Sequence, residues 1–298
     1  MQEYSQQPDH DWRDRLKAWP QYVLPGHLIS RITYAITRIR NPRFKNAFTG
    51  WFVRSFKVNL DEAEISNPHG YEHFNAFFTR ALKPGARPIV TGRLDVACPV
   101  DGAVSQVGTI EDGQIFQAKG HSYSLTELLG GSAKRAEPFQ GGSFATLYLS
   151  PRDYHRIHMP LGGQLREMVH VPGRLFSVNT STVKVIPGVF ARNERVISVF
   201  ETAFGPMALV KVGAINVGSI ETVWAGEVTP PAGRVVRTWH YPAAGEDSVS
   251  LERGAEMGRF NMGSTVIVIF SRDAIEWGGQ LQPGVPVRMG ELIATRKG

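Results

Sequence analysis

Cysteine is almost missing from this chain of 298 residues. Cys98 stands alone, which excludes an intrachain disulfide and fits a reducing compartment best. No apolar run is long enough to span a bilayer. The opening stretch is polar and carries Asp9, Asp11 and Asp14. It lacks the basic start and apolar centre of a secretory signal, so the protein is expected to stay where it is made. Acidic residues are missing from Leu24 to Leu60, a stretch that holds Arg31, Arg38, Arg40, Arg43, Lys45, Arg54 and Lys57. The formal net charge of +6 is therefore concentrated ahead of a nearly neutral body.

What is present is ordinary for a globular protein: 42% hydrophobic and 20% charged residues. The 31 glycines and 19 prolines favour short strands and turns over long helices. The expected fold class is α+β. A mostly antiparallel β body, barrel- or sandwich-like with turns similar to those of lipoyl domains, follows N-terminal amphipathic helices. Strands are expected at 103–110, 143–149, 163–170, 196–200, 207–212, 218–223, 234–239, 265–270 and 292–296. Residues 229–246, rich in Pro, Gly and Ala, are expected to include a long surface loop. Asn67 opens a segment with a capping signal and helical character as far as about Arg80.

The basic segment divides at Asn41-Pro42. Before it, Leu28, Ile29, Ile32, Ala35, Ile36 and Ile39 keep helical spacing; after it, Phe44, Phe48, Phe52 and Phe56 recur every fourth residue beside Trp51. Such stripes commonly pack on a protein body. The lack of acids favours a membrane-surface anchor, with arginines meeting anionic head groups. Nucleic acid ranks below both, because no nucleic-acid motif follows, and no such partner is expected. Residues 1–60 thus read as a membrane-associating helical segment and 61–298 as a catalytic β-rich domain.

Met262-Gly263-Ser264-Thr265 heads an apolar run from Val266 to Phe270. Gly263 admits strained backbone geometry and leaves its carbonyl open. The Ser264 hydroxyl lies one bond beyond that carbonyl and can attack backwards, exchanging the amide for an ester. β-Elimination and hydrolysis would then leave a pyruvoyl group on the new chain end. A serine used this way needs a base. Ser150-Pro151-Arg152-Asp153 looks like the start of a helical turn, which would put His155 and His158 on one face. Asp101 precedes Gly102, a common hairpin pair, and could orient His158 as the acid of a Ser-His-Asp set does. Two histidines and a carboxylate could also hold a metal, but no second acid or thiol accompanies them, and none is expected.

Taken in order, several short motifs resemble the phosphatidylserine decarboxylases of the bacterial membrane-associated type. They include Phe77-Phe78-Thr79-Arg80, Arg87-Pro88-Ile89, Pro99-Val100-Asp101-Gly102, Tyr154-His155-Arg156-Ile157-His158, Asn193-Glu194-Arg195 and Gly258-Arg259-Phe260, closed by the Gly-Ser-Thr site. The family site carries Leu or Gly where Met262 stands here. The resemblance implies a self-cleaving triad of Asp101, His158 and Ser264, cut between Gly263 and Ser264. Ser264 would become a covalent pyruvoyl cofactor that forms a Schiff base with phosphatidylserine in an anionic membrane. His155 would handle the proton at the substrate α-carbon, and the product would be phosphatidylethanolamine. The resemblance further implies that an α chain (264–298) stays bound to a β chain (1–263). It is compatible with a homodimer and with peripheral attachment to the cytoplasmic face of the inner membrane. Two readings compete: a Ser-His-Asp hydrolase acting in trans, which lacks Gly-x-Ser-x-Gly, and a non-enzymatic membrane-binding β-module, which leaves Ser264 and the histidines without a task.

Overall fold

The computed structural model describes residues 12, 18–215, 219–230, 233–262 and 264–298, with Ser264 described in its backbone alone. Helices come first: α1 (Pro20–Val23), α2 (Gly26–Thr37), α3 (Pro42–Phe56) and the short α4 (Phe74–Phe78). α2 ends at Thr37, and Asn41 caps the start of α3. Its side chain accepts from the Arg43 and Phe44 N–H groups at 3.1 and 3.2 Å, and Pro42 takes the first helical position.

Strands then dominate. They are β1 (Asp95–Ala97), β2 (Gly102–Thr109), β3 (Gln114–Ala118), β4 (His121–Ser124), β5 (Ser143–Leu149), β6 (Arg156–His158), β7 (Gly163–Val171), β8 (Arg195–Thr202) and β9 (Gly205–Val212). They continue as β10 (Ile220–Thr222), β11 (Gly226–Thr229), β12 (Arg237–His240), β13 (Ser250–Leu251), β14 (Glu256–Phe260), β15 (Ser264–Phe270), β16 (Ile275–Trp277), β17 (Pro286–Val287) and β18 (Leu292–Arg296). The largest sheet has the order β12-β7-β8-β9-β15-β5-β2-β17, with β13 also on β7. A second sheet, β11-β10-β14-β6, carries the histidine segment, and a third, β1-β18-β16, ties the C-terminus to the body. The named strand pairs are antiparallel and the large sheet does not close into a barrel. β12 crosses the 229–246 stretch, so that stretch is not loop throughout.

Strand β15 is the axis of the large sheet. It pairs with β5 from Ser264 opposite Leu149 to Phe270 opposite Ser143, and with β9 on its other edge. The side chains from Val266 to Phe270 are fully buried. An unbroken apolar run is what a strand covered on both faces requires.

The segment from Asn67 to Arg80 is not one helix. It forms a 3₁₀ turn at Pro68–Gly70 and then α4, five residues long. His73 is extended and its Nδ1 accepts from the Ala76 N–H at 3.0 Å, so the helix starts only there. α4 buries Phe74, Phe77 and Phe78 against Phe52 of α3. The aromatic stripe of α3 is therefore split. Phe52 is buried, whereas Phe44, Trp51 and Phe56 are exposed.

Helix α2 packs inside out. Ser30 and Thr37 are buried, while Leu28, Ile32, Ile36 and Ile39 are exposed. Polar contacts dock it: Tyr34 donates to Glu227 at 2.9 Å, and Arg38 pairs with Glu227 at 2.7 Å. A helix stabilised only by the protein core would turn its isoleucines inward. Doubly substituting Ile32→Asp and Ile36→Asp should change unfolding free energy by less than about 0.5 kcal/mol, whereas Phe52→Ala should cost about 3 kcal/mol or more. Urea titration reads both; a loss in the double variant as large as in Phe52→Ala would put those isoleucines in the core.

Candidate active site

Register brings the sequence-selected residues to one end of three adjacent strands. Ser264 opens β15 opposite Leu149, and Ala103 of β2 pairs with Tyr148 on the other edge of β5. Asp101 thus stands two strand spacings, about 10 Å, from the Ser264 backbone. Gly102 makes this possible: a Cβ there would lie 2.3 Å from the Tyr148 carbonyl oxygen. Asp101-Gly102 is accordingly the entry to a strand and not a hairpin turn. Gly263 and the Ser264 side chain lie outside the described residues.

Ahead of Gly263-Ser264 the backbone is strained. Met262 has φ 115°, which a residue with a Cβ seldom adopts and which costs of the order of 1–3 kcal/mol. Its neighbours hold it there. Asn261 accepts from Asn75 Nδ2 of α4 at 2.9 Å and donates to Ser219, while Met262 packs against the phenylalanine cluster.

The two histidines do not share a helical face. Asp153 Oδ2 accepts from the Ser150 N–H and hydroxyl at 2.7 and 2.8 Å, closing a single turn, after which the chain extends into β6. The proline at 160 and the pairing of β6 with β14 leave no room for a helix. Residues three apart on an extended chain face opposite sides.

His158 is half-buried. Its Nδ1 lies 2.8 Å from the Gly254 carbonyl, which can only accept, so Nδ1 carries the proton. Nε2 is left as the acceptor and takes a hydrogen bond from the Tyr154 hydroxyl at 2.9 Å. Burial pushes the imidazole below its ordinary pKa, opposed by the Gly254 contact and by the nearby Glu256 and Asp101 carboxylates. His158 is thus a neutral base at pH 7. Burial likewise pushes Tyr154 up to about 12, keeping its hydroxyl a donor.

His155 is fully buried, with its ring centroid 4.1 Å from that of Phe78. Nδ1 donates to the Asp153 carbonyl at 2.8 Å, and Nε2 has no partner among the described residues. Burial pushes its pKa down to about 3. A buried imidazole with a free lone pair is costly unless something is to meet it.

Asp101 does not touch His158. Its carboxylate accepts from Arg87 Nε at 2.9 Å and Nη2 at 2.6 Å, and from the Met289 N–H at 2.8 Å. Arg87 also reaches Glu62 at 2.8 Å, and these carboxylates raise its pKa. The contact that orients His158 is the Gly254 carbonyl. Sequence reasoning gave Tyr154, Gly254 and Arg87 no role. Tyr154 and Arg87 stand in the motifs, but a main-chain carbonyl about a hundred residues away leaves no residue-type signal. Among the described residues no group of three or more His, Cys, Asp or Glu could hold a metal ion.

Acid should act through these histidines. Both have folded pKa values below their unfolded value, so the unfolded chain binds more protons as pH falls below about 6.5, and stability is lost in that direction. His155 alone should contribute up to about 1.4 kcal/mol per pH unit between there and its folded value. Urea midpoints at pH 7 and pH 5 should differ less in His155→Phe than in the parent; equal differences would mean that His155 does not titrate on unfolding.

Comparison with known proteins adds to this geometry. A family model described as phosphatidylserine decarboxylase matches residues 74–295, and a second, described as PSD, matches residues 16–57. A phosphatidylserine decarboxylase proenzyme of Stutzerimonas stutzeri is 59% identical over 281 residues, 94% of each chain. The proenzymes of Pseudomonas entomophila and Pseudomonas aeruginosa are 57% and 56% identical, covering 95% and 96% of this chain and 98% and 99% of their own. With a strained main chain ahead of a strand-opening serine, and matches along almost its whole length, this chain belongs to the phosphatidylserine decarboxylase family.

Proposed function

We propose that this protein decarboxylates phosphatidylserine to phosphatidylethanolamine, after cutting itself between Gly263 and Ser264 to form a pyruvoyl group from Ser264. The observation that carries the reading is the strained Met262 backbone two residues before a serine that opens a fully paired strand. Strain ahead of the bond is relieved on cleavage, while the pairing of β15 holds the new chain end in place.

His158 takes the Ser264 hydroxyl proton as the oxygen attacks the Gly263 carbonyl carbon. The peptide C–N bond breaks, an ester forms, and the nitrogen of residue 264 leaves as a free amine. Loss of the α-proton and of the Gly263 carboxylate, followed by hydrolysis that releases ammonia, gives the ketone. Tyr154 and the Gly254 carbonyl hold the imidazole in the tautomer that accepts at Nε2. Asp101, locked by Arg87, contributes its field and anchors the Pro99 loop, whose carbonyl accepts the His158 N–H at 2.9 Å.

Once formed, the pyruvoyl group supplies a ketone that binds the substrate amine and draws off the electron pair released with carbon dioxide. His155 meets the substrate carboxylate with its free Nε2. An anion brought against a buried imidazole raises the imidazole's pKa, so the ring can gain a proton there and return it to the substrate α-carbon. The outward isoleucines of α2 and the aromatics of α3 face a membrane surface, and no helix among the described residues is long and apolar enough to cross one.

Mass spectrometry of the purified protein should find a fragment 264–298 with a blocked N-terminus; a free serine amine there would end the pyruvoyl reading. His158→Ala should remain uncut. His155→Ala should cut itself at least in part and release carbon dioxide from phosphatidylserine at least about a hundredfold more slowly. Normal cutting in His158→Ala together with an active His155→Ala would reverse the assignment. The Ile32→Asp, Ile36→Asp variant should lose binding to anionic vesicles; undiminished binding would remove α2 from the membrane contact.

A further inference from the structure

Two arginines near the site are treated in opposite ways. Arg87 is matched by two carboxylates. Arg80, which follows α4, is 4% exposed and makes one good hydrogen bond, from Nη2 to the Arg152 carbonyl at 3.0 Å. Among the described residues its Nε and Nη1 have no hydrogen-bond partner, the Phe77 ring centroid lies 5.5 Å from its Cζ, and burial lowers its pKa against the pull of the Asp101 and Asp153 carboxylates. A buried guanidinium without a salt-bridge partner is expensive, and a bound anion would offset that cost.

Arg80 lines a cavity of about 630 Å³ at the end of β2 and β5. Asp101, Tyr148, Ser150 and Tyr154, the hydrogen-bond partner of His158, line the same cavity. Tyr148 and Ser150 flank Leu149, which pairs with Ser264, so the end of β5 that lines the cavity is the end paired with Ser264. At its rim stands Lys57, the residue that ends α3. Lys57 has φ 53°, a left-handed conformation that glycine adopts more cheaply at a helix end. The exposed Phe56 precedes it in the chain, with the exposed Trp51 on the same helix. The cavity thus runs from an exposed lysine at the end of an aromatic helix to a buried arginine without a salt-bridge partner.

We propose that this cavity is the phosphodiester pocket for the lipid head group, with Arg80 on its floor and Lys57 at its mouth. The proposal rests on the pyruvoyl reading for the position of the substrate amine. In a serine phospholipid the phosphorus lies four bonds from the amine nitrogen, so the diester must bind within reach of Ser264, and this cavity is lined by the end of β5 that pairs with Ser264. The carboxylate is the wrong occupant for Arg80. It loses its charge as carbon dioxide leaves, so a permanent cation on it, unlike an imidazole that hands its proton on to the α-carbon, would stabilise the ground state more than the transition state. The diester keeps its charge throughout, and holding it positions the head group without opposing the reaction. The acyl chains then remain at the aromatic end of α3, in the membrane.

The test uses the cleaved protein and two amines that differ in the diester, glycerophosphoethanolamine and ethanolamine. Each is fixed to residue 264 by cyanoborohydride and read by the mass of the small fragment. The parent should prefer the diester amine at least about tenfold, the scale of one charge-assisted hydrogen bond. Arg80→Gln should lower that preference about tenfold and Lys57→Gln about threefold, with Arg80→Lys between Arg80→Gln and the parent. A preference unchanged in both Gln variants, or equal losses with both amines, overturns the proposal. Calorimetry with dimethyl phosphate provides a readout independent of the pyruvoyl group and of cutting. The parent should bind it, and Lys57→Gln and Arg80→Gln should bind it more weakly. No binding by the parent, or tighter binding of inorganic phosphate than of the diester, also overturns the proposal. Failure of both amines to attach in the parent, with dimethyl phosphate bound, would instead count against the pyruvoyl reading.

Discussion

Strand β15 sits between β5 and β9, hydrogen-bonded along both edges and covered on both faces. Each of its five apolar side chains from Val266 onward is worth about 1.5–3 kcal/mol of burial. The strands after it are woven in as well: β17 pairs with β2, and β18 lies between β1 and β16. A break ahead of Ser264 would therefore sever one peptide bond and leave the fold's contacts in place. The same ladder presents the N-terminal end of β15 to the ends of β2 and β5. A chain end made there would be held as rigidly as any interior residue, which a group that must meet a substrate requires.

Around that fixed point the protein spends its polar groups unevenly. Asp101 is saturated by Arg87 and the Met289 N–H, and His158 is held at both ring nitrogens. His155 keeps a bare Nε2, and Arg80 keeps two bare nitrogens. Buried polar groups are normally satisfied, so these are the places where the folded state has left room for something else. On the proposed reading, the saturated groups set geometry and the unsaturated ones meet the ligand. The inverted helix α2 obeys the same logic on a larger scale. It leaves isoleucines in water that a core would have accepted, and docks through Tyr34, Arg38 and Glu227. An exposed apolar face of this kind marks a surface suited to an apolar partner.

Much of this was legible from residue order. The strands at 143–149 and 292–296 lie where the apolar runs and punctuation put them, and others differ by a residue or two at their ends. Short-range chemistry accounts for that success, as it does for the Asn41-Pro42 helix boundary. His158 and Ser264 were singled out on the same short-range ground, because a self-cleaving serine needs a base and both stand in recognisable motifs; the tertiary structure adds their surroundings, and their roles are proposed. The short strands β1, β6, β14 and β17 were not legible. They are two to five residues long and exist through partners far along the chain. The helix expected from Asn67 to Arg80 shortened to α4, since burying Phe74, Phe77 and Phe78 against Phe52 outweighed local propensity.

The sequence by itself determined an α+β chain with a basic, acid-free front, a Gly-Ser bond at the head of a buried strand, and the histidines to serve it. Those are properties of neighbouring residues, and neighbours are what a sequence records. Tertiary structure alone decided that His155 and His158 have different surroundings, that a carbonyl from Gly254 sets the His158 tautomer, and that Arg87 is paired while Arg80 is not. It also decided that the apolar stripe of α2 faces outward. Each of these depends on which distant segment excludes water from a side chain and which polar group it supplies in return, and that is set only when the strands have found their register.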